Sequence, residues 1–149
     1  MRAPSPRRVL IVAHQTADSP ELVKAVRRRI DEGACTFTLL VPSRVRGLHR
    51  LTEPDNAGIN EAEDRLELAI PLLSEAAGEA IIGVVGSPEP LAAVQDALNV
   101  LGFDEVIISM LPVRESRWFR LELPRKVRAL GVPVTEVITS ARKVDHTAA

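Results

Sequence analysis

Five short apolar runs, each separated from the next by a stretch of helical periodicity, constrain this chain more than any other feature. The runs are Arg8–Ala13, Thr36–Val41, Ala80–Val85, Glu105–Ser109 and Val134–Ile138. The first, third and fourth are near-continuous and rich in Val and Ile. Strands of that composition are covered on both faces, because helices pack above and below them.

The intervening segments read as helices. Ser19 is placed to N-cap a helix with Pro20 at its first position and Glu21 in its first turn. Leu22, Val23, Val26 and Ile30 share one face of it, and Gly33 supplies a stop. A second helix is expected from about Ile59 to Ala77, with Ala62, Leu66, Ala69, Ile70, Leu73 and Ala77 in period. Pro71 lies inside that stretch and is expected to kink or split it, since an interior proline costs ~3 kcal/mol. The third helix is expected to be capped by Ser87 with Pro88 just inside, to carry a Leu91, Val94, Leu98, Leu101 stripe and to stop at Gly102. A last short helix is expected near Pro124, with Val127 and Leu130 facing inward and Gly131 ending it. The order βαβαβαβαβ implies a parallel sheet with right-handed crossovers, a doubly wound five-stranded α/β domain with helices on both faces. That domain is expected over residues 8–139, between a flexible N-terminus (1–7) and a frayed tail (140–149). Pro42 to Gly58 is the longest irregular connection, the kind that serves as a binding loop or a mobile insertion.

Composition narrows the function classes. The 149 residues suit one domain. A net charge of −1 argues against a general nucleic-acid binder, which is normally strongly basic. No apolar run approaches the ~18–20 residues that span a membrane, and Val9–Ala13 is too short for a signal peptide. The single cysteine, Cys35, excludes an internal disulfide, fits a reducing cytoplasm and reads as an inert buried residue. The small net charge conceals asymmetry. Thr52–Glu79 carries eight acidic residues and one Arg, whereas Pro112–Arg128 carries six basic and two acidic residues.

Open α/β sheets bind ligands outside the carboxyl ends of their strands, so the strand-to-helix loops are where function is sought. The first strand is followed by no G-x-G-x-x-G, and neither a phosphate-cradling P-loop nor a G-x-S-x-G nucleophile elbow occurs. A receiver-type phosphoacceptor site is missing too, since His14 and Gly86 stand where acidic residues are required. His14, His49 and His146 are scattered and Cys35 has no Cys partner, so no metal-ligand spacing appears. His14 has no acidic or nucleophilic partner in its local sequence, and an enzyme is not expected.

Three local patterns point further. They are Gly86-Ser87-Pro88-Glu89-Pro90-Leu91-Ala92-Ala93-Val94, Phe103-Asp104-Glu105-Val106-Ile107-Ile108-Ser109, and the ending Arg128-Ala129-Leu130-Gly131-Val132-Pro133-Val134-Thr135-Glu136-Val137. With the order of elements, they make residues 8–139 resemble the universal stress protein family. The resemblance implies a Rossmann-like fold, strand order 3-2-1-4-5, a role in stress regulation and homodimers paired through the last, edge strand. The residues there are Val134, Glu136 and Ile138. Pairing also protects an exposed edge.

The ATP-binding members of that family carry G-x2-G-x9-G-[ST] after the fourth strand, whose glycines let backbone amides approach phosphates. The matching stretch here, Ser109 to Glu122, contains no glycine, and His14 replaces the acidic residue after the first strand. The chain therefore reads as a divergent member to which ATP binding does not carry over from the family; ATP or AMP stays a candidate ligand, and a phosphate site would have to use arginines. Arg114, Arg117 and Arg120, three apart, would share a face on one helical turn and suit an anion. The competing reading is a solvated charged face. Candidate ligand contacts are His14, Gln15, Thr16, Val41, Ser109, Arg114, Ser116, Arg117 and Arg120. Two functions compete: a sensor of a small anionic ligand or nucleotide, and an interaction module whose crest is plugged by Leu111, Pro112 and Trp118.

Overall fold

The run around Val9 becomes the central strand of a five-stranded sheet. The computed structural model describes residues 5–43 and 56–139. In chain order the elements are β1 (Arg7–Val12), α1 (Pro20–Glu32), β2 (Cys35–Pro42), α2 (Asn56–Ala77), β3 (Ile82–Gly86), α3 (Pro90–Val100), β4 (Glu105–Met110), a 3-10 turn (Val113–Glu115), α4 (Arg117–Arg120), α5 (Leu123–Arg128) and β5 (Val134–Ile138). All strand pairs are parallel, and their order is β3-β2-β1-β4-β5. The chain steps outward from β1 through β2 to β3, then crosses back to β4 on the other side of β1.

Alternation along β1 divides the core into two layers. Val9 and Ile11 face α1 and α2, packing with Leu22, Val26, Ala62, Ala69 and Leu73. Leu10 and Val12 face α3 and α5, packing with Ala93, Val94, Ala97, Leu123 and Val127. Each fully buried aliphatic side chain of this kind contributes ~1.5–3 kcal/mol. Cys35 belongs to the first layer, and burial pushes its thiol up, away from the reactive thiolate.

Helix α1 forms as expected: Ser19 accepts the Leu22 N–H at 3.1 Å, Pro20 opens the helix and Gly33 ends it. Three expectations are corrected. Helix α2 is not split at Pro71 and runs on to Ala77. Both Pro71 and Glu67, whose carbonyl loses its i+4 donor, lie on the exposed face of the helix. Pro71→Ala restores that bond and is expected to raise stability by about 1 kcal/mol in urea denaturation. Helix α3 begins at Pro90 and not at Pro88. The residue before a proline is pushed out of the helical region, and Glu89 is extended (φ −88°, ψ 110°). Glu89 then caps the helix by accepting the Ala92 N–H at 3.1 Å, and Ser87 accepts the Glu89 N–H at 3.1 Å. Leu130 is exposed because α5 ends at Arg128, which leaves Leu130 in the turn after it.

Residues 1–4 and 140–149, and most of the long loop after β2 with His49, lie outside the described residues, as does His146. Among the described residues no helix is long and apolar enough to cross a membrane, and no three His, Cys, Asp or Glu side chains gather as a metal site.

Candidate functional site

The reversal of strand order between β1 and β4 opens a cleft at the carboxyl ends of the strands, where open α/β sheets place their ligands. It encloses about 420 Å³, within the range of small-molecule sites. One side is the turn after β1, with His14, Gln15 and Thr16. The other runs from the end of β4 to the start of α4, with Ser109, Met110, Arg117 and Trp118. Pro42 and Ser43 after β2, and Pro88 and Pro90 before and at the start of α3, complete the wall.

The floor is made of hydroxyls. Five polar side chains are buried among the described residues, namely Thr16, Ser19, Ser109, Ser116 and Thr139. All lie at or beyond the carboxyl ends of strands. The Thr16 and Ser109 hydroxyls are 2.6 Å apart and tie the β1 turn to the end of β4. Behind them, Thr139 donates to Ser19 Oγ at 3.0 Å, and the Thr139 N–H donates to the Met110 carbonyl at 2.9 Å. The Ser19 N–H donates to the Thr16 carbonyl at 3.1 Å, closing a circuit from β1 through α1 and β5 back to β4. Buried polar groups are costly unless paired, so this circuit fixes the floor in one arrangement.

Ser116 has a second task. Its Oγ accepts the Phe119 N–H at 3.0 Å and so starts α4. Its own backbone is extended (φ −98°, ψ 115°), which breaks the chain between the 3-10 turn and α4. The three arginines are therefore not on one helical turn. All three are exposed, but only Arg117 lines the cleft, whereas Arg114 and Arg120 lie outside it. Val41 also lies outside it, fully buried in the layer under α1 and α2.

The crest is not filled by the side chains expected to plug it. Leu111 and Trp118 form part of an open wall, and Pro112 is not among the lining residues. Trp118 and its neighbour Phe119 are half-buried against the layer under α3 and α5. Pro42, Ser43, Pro88, Pro90, Met110 and Glu115 also line the cleft and were not among the expected ligand contacts, although all lie at or after the carboxyl ends of strands, where ligands are sought.

At the sheet's margin, β5 is an edge strand. Val134 is half-buried, Ile138 is exposed, and Glu136 accepts from Arg128 at 2.9 Å.

No family model matches the chain, and no curated protein matches it in sequence. Solved structures match in shape. The crystal structure of a hypothetical protein, PH0823, superposes with a TM-score of 0.63 at 14% identity, covering 89% of this chain and 96% of that one. A universal stress protein solved in complex with cAMP superposes with a TM-score of 0.59 at 15% identity, covering 91% of this chain and all of the other (100%). At such identities the likeness is one of architecture, and the chain has a universal-stress-protein-like fold: a parallel α/β sheet of order 3-2-1-4-5.

Proposed function

We propose that this chain is a stress-response domain of the universal stress protein type that binds a small anionic ligand or nucleotide in the crest cleft. One observation carries the reading: an open cleft of about 420 Å³ lies at the switch in strand order, floored by buried hydroxyls and bordered by Arg117. The structurally similar protein solved with cAMP supports a nucleotide as the ligand class, as an analogy of fold. The domain binds and does not catalyse in this reading, with Ser109 paired to Thr16 and Ser116 capping α4. It acts in the cytoplasm as a homodimer joined through β5, an edge strand whose backbone offers pairing groups.

Titration calorimetry with cAMP, AMP and ATP tests the ligand. At least one is expected to bind with one site per chain, and Arg117→Ala is expected to weaken it about tenfold by removing a charge-assisted contact. No heat from any of the three sinks the reading.

A further inference from the structure

The hydroxyl protons of the cleft can be counted. Each Ser or Thr hydroxyl carries one proton and two lone pairs. The Thr16–Ser109 contact at 2.6 Å consumes one proton, and whichever hydroxyl accepts keeps its own. Ser116 Oγ accepts the Phe119 N–H, which leaves its proton unspent. These three hydroxyls and Arg117 line the same cleft. Ser19 takes the Leu22 N–H of α1 and Glu89 the Ala92 N–H of α3, and Pro90 at the start of α3 has none. No glycine between Ser109 and Glu122 lets the backbone approach a phosphate chain.

We propose that one proton from Ser116 and one from the Thr16–Ser109 pair form, with Arg117, an anion subsite matched to a single phosphate ester and not to a polyphosphate. The inference rests on the ligand reading above and specifies it. Two hydroxyl donors and one planar guanidinium suit the few oxygens of one phosphoryl group. A triphosphate brings further charges, against which the described residues of the cleft supply no second lysine or arginine and one carboxylate, Glu115. Ser116 is thereby a specificity-determining residue, since the cap that starts α4 also directs its proton away from the Phe119 amide.

The test compares adenosine, AMP and ATP by calorimetry on the full chain. AMP is expected to bind about tenfold or more tightly than either of the others, the worth of hydrogen bonds to a charged group. Ser116→Asp keeps an acceptor for the Phe119 N–H, hence α4, but has no proton at neutral pH. It is expected to lose AMP by about tenfold or more, through the missing proton and the added negative charge together, while adenosine, which has no phosphate, is weakened less; Ser116→Thr, which keeps both the acceptor and the proton, is expected to keep AMP. ATP binding as tightly as AMP, or AMP indifferent to Ser116→Asp, overturns the subsite while the broader ligand reading stands. Silence from every nucleotide overturns both.

Discussion

Gly86→Ala is expected to lower the melting temperature by about 5–10 °C, which for a domain of this size corresponds to about 2–3 kcal/mol. A Cβ built at Gly86 falls 2.7 Å from Leu40 Cδ1 and 2.8 Å from Ala93 Cβ. Leu40 can turn its tip aside. Ala93 cannot, because its Cβ is fixed to the backbone of α3 and both residues are buried. The helix must therefore move off the sheet, and close-packed interiors resist such shifts. Gly86→Val adds two further methyl groups to the same gap and is expected to cost more.

Two comparisons separate this mechanism from a general intolerance of substitution. Gly83 also lies in β3, and a Cβ there meets Leu66 Cδ2 at 2.7 Å and Ile70 Cδ1 at 3.2 Å. Both are ends of flexible side chains, so Gly83→Ala is expected to change stability by less than about 1 kcal/mol. Combining Gly86→Ala with Ala93→Gly removes the fixed contact. It is expected to recover part of the loss, less the ~1 kcal/mol that glycine costs inside a helix. A Gly86→Ala variant as stable as the parent would falsify the packing argument. Gly86 opens the segment whose pattern resembles a family signature, and its work here is to let α3 sit close. That closeness holds Pro88 and Pro90 in the wall of the cleft.

The inner strands β1, β2 and β4 were legible because they are largely buried, which leaves uninterrupted apolar runs such as Val9–Val12. Helix α1 was legible because its cap and stop are local: Ser19, Pro20 and Gly33 act on their own backbone neighbours. The start of α3 was misplaced because Ser87-Pro88 and Glu89-Pro90 offer the same local signal, and only the second proline's constraint on Glu89 decides between them. The tolerance of Pro71 depends on which face of α2 meets water, a tertiary fact. At the crest, the strand-exit rule located His14, Gln15, Thr16 and Ser109. The arginine spacing misled because Ser116 is extended and breaks the helical register that would have aligned them. The pairing of Thr16 with Ser109, 93 residues apart, has no local signal in sequence.

Glu105→Gln is expected to cost about 3 kcal/mol at neutral pH, an effect confined to the amino ends of the strands, opposite the cleft. Glu105 opens β4 and takes Arg29 in two contacts, Nε at 2.8 Å and Nη2 at 3.1 Å, with Arg7 Nε at 3.0 Å. The Arg29 and Glu105 side chains are only 13% and 16% exposed, so removing the carboxylate leaves a largely desolvated guanidinium with only the exposed Glu32, 4.0 Å away, as a counter-charge. Arg7 is half exposed, and Arg7→Ala is expected to cost less than about 1 kcal/mol. The hydrogen bond from Arg29, reinforced by that from Arg7, holds the Glu105 carboxyl below its ordinary value of 4.5 against the opposing effect of burial. A carboxyl lowered by folding stabilises fully above its unfolded value and loses that contribution as the pH falls through the folded one. The stability gap between the parent chain and Glu105→Gln is therefore expected to be widest at neutral pH and to narrow steadily below about pH 4.5. Urea denaturation of both chains across pH 7 to 3 reads this directly, and parallel curves would show that the carboxylate's charge contributes nothing. Ligand titrations on the same variant at pH 7 are expected to match the parent. The network clamps α1 to β1 and β4 at one end of the sheet, while the hydroxyl circuit through Thr16 and Ser109 independently fixes the other.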